Sequence, residues 1–217
     1  RNCQKKINWF DNIPFISYLI LVGKCRNCGC KISIQYFVVE LLVALGFLVS
    51  FYFFGFSIAT LLLFILTVFF VIIFFIDLKH FIIPNELTFP LMAIGFLKSF
   101  DPNLNQYLFP NFINSLIGGV AGYLIIWFII FAYKKLRNKE GMGLGDAKLL
   151  SAIGFWFGWI SIPFVLFFSS FVALGFAIPS LMNKSKTMSS QIPFGPYLVL
   201  GCVLYLFLIE QIIKYLN

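Results

Sequence analysis

The sequence predicts an all-α, polytopic transmembrane helical bundle, and three observations predict it. First, 61% of the 217 residues are hydrophobic, only 11% are charged, and the mean hydropathy is +0.97. No soluble domain of this size uses so much apolar surface, so most side chains face lipid or neighbouring helices. Second, the apolar residues fall into about seven runs, several near the ~20 residues that a spanning helix needs. Third, the positive charges sit between those runs. They do not form one basic face, so the net charge of +8 points to membrane lipids and not to nucleic acid.

In chain order the spans are expected at 36–54, 58–76, 87–100, 112–133, 147–159, 162–182 and 197–213. The third and fifth are short, which fits tilting or an end inside a water-filled cavity. Segments 1–35, 77–86, 134–148 and 183–196 hold 14 of the 16 lysines and arginines. By the positive-inside rule these segments are cytoplasmic, which leaves only Lys98 and Lys214 on the far side. A multi-pass protein of the bacterial cytoplasmic (inner) membrane is expected. An odd number of spans then puts the C-terminus outside. The chain opens on Arg1-Asn2-Cys3 without an initiator methionine or signal peptide, as a piece of a longer protein would. A further span upstream of Arg1 is expected.

Two domains are expected, a cytoplasmic cysteine segment over 1–35 and a membrane-embedded domain over 36–217. The first holds Cys3, Cys25, Cys28 and Cys30, four of the five cysteines. Cys25-x-x-Cys28 is the spacing at which one turn directs two thiolates at a tetrahedral metal. A cytoplasmic location disfavours structural disulfides, so zinc is the better expectation. Cys3 would be a third ligand, with the fourth either Cys30 or a cysteine upstream of Arg1. The competing account is reduced thiols in a small loop domain. Cys202 lies mid-span and is expected to pack in the core.

The chemistry is expected at two aspartates. Asp77 follows the apolar run 58–76, and Asp146 opens another within Gly141-Met142-Gly143-Leu144-Gly145-Asp146. A carboxylate at a membrane edge is costly and marks function. Pro84 breaks the helical path after Asp77, so one helix ends near Asp77 and the next starts near Asn85, a natural N-cap. Gly143 and Gly145 leave the backbone before Asp146 free and let a substrate strand approach. Amide hydrolysis needs a base for water and an acid for the carbonyl oxygen or leaving nitrogen. Two adjacent carboxyls do not both ionise readily, so one keeps the proton that the other loses. The competing account makes Asp146 a plain N-cap and Asp77 a helix-end charge reaching water.

Lys148 is expected either to balance charge at the site and meet an acidic substrate group, or to be an ordinary interfacial lysine. His80 is expected to be interfacial. Glu40 is expected to pair with a cation such as Lys31, and Ile192-Pro193-Phe194-Gly195-Pro196 to be a rigid turn entering the last span, either a simple turn or one that lines the site.

These residues carry a resemblance to the type IV prepilin peptidases, the GxGD membrane aspartic proteases. The matching elements are Ile76-Asp77-Leu78 with 83–88, then 141–146 followed by Lys148-Leu149-Leu150, then 193–196. Trp9 to Pro14, Gly23 to Cys28, and Tyr36 with Glu40 are similar to the family's cytoplasmic zinc segment. The resemblance implies that Asp77 and Asp146 are the catalytic pair and that Cys3, Cys25 and Cys28 bind zinc. It implies a prepilin or pseudopilin substrate with a short basic leader and a glycine before the scissile bond. It also implies, for many relatives, methylation of the new N-terminus from S-adenosylmethionine. Three alternatives stand beside it: a proton-coupled transporter, a presenilin-like protease with another substrate, and a membrane-anchored zinc module that serves only in assembly.

Overall fold

The computed structural model describes residue 6 and residues 8–104, 108–137, 143–182 and 193–216. The described residues are mostly helical, with a single isolated bridge among them, between Lys24 and Lys31. Seven long helices follow the expected spans: α2 (Ile34–Phe54), α3 (Ile58–His80), α4 (Asn85–Leu97), α5 (Phe112–Arg137), α6 (Leu144–Phe157), α7 (Ser161–Met182) and α8 (Gly195–Leu216). A short α1 (Ile16–Ile20) precedes them. Three helices, Ile34–Phe54, Ile58–His80 and Phe112–Leu136, are long and apolar enough to cross a membrane. The fold is a polytopic membrane bundle.

The chain divides into two compact units, Arg1–Val71 and Ile72–Asn217. In the first, α2 opens where the Ser33 hydroxyl accepts the Gln35 N–H at 3.2 Å, an N-cap for a helix whose first donors have no partner above them. It stops at Gly55, whose φ of 56° carries the chain out of the helix. Glu40 does not pair with Lys31 as expected. Its Oε2 accepts the Phe15 N–H at 3.0 Å. Phe15 sits at φ 60° just before α1, so its amide needs an acceptor from outside that short helix. Among the described residues of this unit, an ion pair joins Arg26 to Asp11 at 2.8 Å.

In the second unit α6 is central. It packs against α4, α5, α7 and α8, and ten of its 14 residues are buried. At ~1.5 Å per residue it is about 21 Å long, short of the roughly 30 Å hydrocarbon thickness. A short helix of that kind is tolerated where protein, not lipid, surrounds its ends. Glycines let α5 and α6 touch backbone to backbone. A Cβ at Gly154 would collide with the Gly118 carbonyl, and one at Gly122 would lie 2.7 Å from the Leu150 oxygen. The Ser115 hydroxyl donates to the Phe155 carbonyl at 2.7 Å, and that of Ser151 to the Gly119 carbonyl at 2.8 Å. Small residues with interhelical hydroxyl bonds replace the hydrophobic effect, which is absent between helices in lipid.

The Trp156 indole donates to the Leu91 carbonyl at 2.8 Å and rests where Gly95 leaves room, fixing α4 to α6. Lys98, at the end of α4, is buried. Its ammonium lies 4.2 Å from the Phe109 ring centroid and 5.6 Å from that of Trp156, so π faces supply its contacts.

Three boundaries differ from expectation. α3 runs one turn past 76, to His80, so Asp77 lies in its last turn. The N-cap of α4 is Pro84 and not Asn85, because proline's fixed, extended backbone already sets the entry. Asp146 is the third residue of α6, whose N-cap is Gly143, so it is not itself the N-cap.

Candidate active site

Asp77 and Asp146 reach the same place from opposite ends of two helices. Asp77 lies in the C-terminal turn of α3, and Asp146 lies in the N-terminal turn of α6. Both are buried, at 4% and 7% exposure, whereas most acidic side chains are exposed. Ile83 links their surroundings: its Cδ1 and Asp77 Oδ2 both border Gly195, and its Cβ borders Gly145, the residue before Asp146.

Their surroundings differ. A carboxylate in the first turn of a helix lies at the favourable end of the dipole, and one in the last turn does not. Asp146 therefore suits its helix position. Asp77 has outside help: its Oδ2 accepts the Gly195 N–H at 3.0 Å, across 118 residues of sequence. Gly195 is the first residue of α8, so the N-terminus of that helix points at Asp77. The turn 193–196 thus lines the surroundings of Asp77, the second of the two readings the sequence left open for it, and Gly195 is its point of contact.

Between the helices runs the loop 81–84. Phe81, at φ 58°, donates its N–H to the Asp77 carbonyl at 2.9 Å and turns the chain back. Ile83 then lies between the starts of α6 and α8. Its Cβ is 3.0 Å from where a Cβ at Gly145 would sit, and its Cδ1 is 2.9 Å from the same point at Gly195. Gly143 borders the Asp146 carboxylate, with its corresponding point 3.8 Å from Oδ2. Gly141 and Met142 of the glycine-rich run lie outside the described residues.

Lys148 makes no ion pair with either aspartate among the described residues. Its ammonium donates to Asn85 Oδ1 at 2.6 Å and lies 5.3 Å from the Phe89 ring centroid, tying α6 to the start of α4. His80 is exposed at the end of α3.

The cysteine segment forms a tight turn. The Cys25 N–H donates to the Cys30 carbonyl at 2.9 Å, and the Gly29 N–H to the Cys25 carbonyl at 2.9 Å. Gly29 sits at φ 68°, a conformation that costs glycine little. Among the described residues no group of three or more histidines, cysteines or acidic residues is placed to hold a metal. Cys25, Cys28 and Cys30 are therefore not gathered as a trio, and Cys3 lies outside the described residues.

Two buried aspartates lie at helix ends beside Gly143, Gly145 and Gly195, and comparison with known proteins decides the family. The model of the type IV leader peptidase family matches residues 64–178, and that of the bacterial peptidase A24 N-terminal domain matches residues 1–54. The chain belongs to the type IV leader peptidase family. Membership takes the place of the transporter and presenilin-like alternatives.

Relatives in this family include the prepilin leader peptidase/N-methyltransferase of Aeromonas salmonicida, 41% identical over 199 residues, 92% of this chain and 67% of the relative. That of Xanthomonas campestris pv. campestris is 40% identical over 196 residues, 90% of this chain and 67% of the relative. The Neisseria gonorrhoeae protein of the same name is 37% identical over 199 residues, 92% of this chain and 66% of the relative. No solved structure is a significant match. Within this peptidase family the matched region 64–178 includes both aspartates and Lys148, while Gly195 falls beyond it.

Proposed function

We propose that the protein is an aspartic endopeptidase that cuts prepilin or pseudopilin precursors at the cytoplasmic face of the inner membrane, with Asp77 and Asp146 as the catalytic pair. The observation that supports this is a pair of buried carboxyls from distant parts of the chain on either side of Ile83, one of them held by the start of a third helix. The cytoplasmic placement rests on the distribution of cations, 14 of 16 in the segments on the side of the pair.

The ionised carboxylate takes a proton from water as its oxygen bonds to the scissile carbonyl carbon. The protonated partner gives its proton to the carbonyl oxygen. The tetrahedral intermediate then collapses. The C–N bond breaks as the nitrogen takes a proton from the pair, leaving a carboxyl on the leader and a free amine on the pilin. Burial keeps the pair away from bulk water, so each proton stays local.

Methylation of that amine, with S-adenosylmethionine as donor, is carried over from the relatives' names alone. No residue is assigned to that cofactor. The test is incubation of the purified protein with a synthetic precursor, with and without the methyl donor, and mass spectrometry of the product. The expected result is a mature chain with a new N-terminus, heavier by one methyl group where the donor acts. An uncut precursor overturns the peptidase assignment.

We also propose zinc in the cysteine segment. The turn at Cys25 and Cys28, closed by left-handed Gly29, suits two thiolates at one tetrahedral ion. Cys3 would be a further ligand, and zinc would be structural there. Elemental analysis of the intact protein is expected to find zinc, and Cys25→Ser with Cys28→Ser to lose it together with thermal stability of the segment. Protein that contains no metal, with all its thiols open to titration, rejects the site.

A further inference from the structure

We infer that Ile83 is a specificity-determining residue, which limits the size of the substrate side chain held against the starts of α6 and α8; this rests on the peptidase assignment above. Three facts converge on it. Its Cδ1 lies 2.9 Å from the point where a side chain at Gly195 would begin, and Asp77 Oδ2 lies 2.7 Å from that same point. Its Cβ lies 3.0 Å from the equivalent point at Gly145, the residue next to Asp146. Ile83 is only partly buried, whereas both aspartates are buried.

An aliphatic side chain therefore bridges two glycines, each beside one member of the pair. The free space that the glycines create is taken up on that side by Ile83. For hydrolysis, the scissile carbonyl has to come within about 3–3.5 Å of the attacking group that the pair activates. Its main chain then passes Ile83, and a flanking substrate side chain directed toward the α6 and α8 starts meets the isoleucine methyls. A backbone without a side chain there fits, and a branched one does not.

Ile83 also sits on a segment suited to selection. The loop 81–84 is anchored at one end by the Phe81–Asp77 backbone bond and at the other by Pro84, the N-cap of α4. The isoleucine is thus held in place by a turn that begins on the catalytic aspartate's own carbonyl. A β-branched side chain also has few rotamers with which to move aside.

The experiment is cleavage of a precursor series carrying glycine, alanine or valine at either residue flanking the scissile bond, read as the ratio of kcat/KM values within each enzyme. Taking ratios cancels any general loss of activity. Wild type is expected to lose efficiency steeply as the side chain grows at one of the two positions. Ile83→Ala is expected to reduce that loss by about tenfold or more for valine, within the range one or two methyl groups command in a pocket. Ile83→Phe is expected to steepen it. If Ile83→Ala does not fold, Ile83→Val, which removes one methylene, gives a smaller shift of the same kind. Equal ratios in wild type and variants at both positions overturn the inference while leaving the peptidase intact. Failure of wild type to cut any precursor instead removes the peptidase assignment.

Discussion

Asp77→Asn and Asp146→Asn are each expected to lower precursor cleavage by about a thousandfold or more, since positioned acid–base groups contribute roughly 10²–10⁴ and here one pair supplies both. The change is nearly isosteric. In Asp77→Asn the new amide oxygen can still accept the Gly195 N–H, which lies 3.0 Å from Oδ2 of Asp77, and the buried volume is unchanged. Thermal unfolding in detergent is therefore expected to stay close to wild type. What disappears is a group able to take and return a proton at the reacting atoms. The two variants should also be non-additive: with either carboxyl gone, no proton is shared, and removing the second costs little more. A single variant that keeps a tenth of wild-type activity would falsify the paired mechanism. A variant that loses activity along with its folded state would shift the role of that aspartate to structure.

Much of this fold was legible because lipid imposes a simple rule: apolar runs of span length become helices. All seven expected spans have a helix, and the short ones, α4 and α6, were recognisable as short. The reason for the shortness of α6 was hidden, because a helix buried among four others shows the same composition as one at a membrane edge. Boundaries set by one residue were less accessible. Periodicity does not distinguish Pro84 from Asn85 as a cap, or show that α3 continues to His80. The two aspartates could be found because charge at a span edge is rare. Their partners lie in elements that the resemblance marked, 83–88 and 193–196, but no pattern showed that Gly195 donates to Asp77 or that Ile83 borders both helix starts. The close α5–α6 seam was readable in principle from Gly118, Gly119 and Gly122, since small residues at helical spacing mark tight membrane packing. The choice of Gly154 as its counterpart needed the tertiary structure.

Gly195→Ala is expected to reduce kcat by about a hundredfold, the penalty that roughly 1 Å of misplacement commonly exacts, although alanine is the best helix former and Gly195 opens a helix. The reason is space. Its φ is not left-handed, so backbone conformation does not demand glycine here. The added methyl would lie 2.7 Å from Asp77 Oδ2 and 3.2 Å from Asp77 Cγ, and 2.9 Å from Ile83 Cδ1. Asp77 has to swing away, and the Gly195 N–H that held its oxygen loses its partner. Helix propensity moves stability the other way, so a near-normal melting temperature with a collapsed kcat is the expected combination. The Ile83 contact offers a second explanation, which a double variant separates. If the methyl acts through Ile83, adding Ile83→Ala restores the rate. If it acts through Asp77, the double variant stays as slow as Gly195→Ala, and that is the expected outcome. Activity within twofold of wild type in Gly195→Ala would mean that the start of α8 does not position the aspartate.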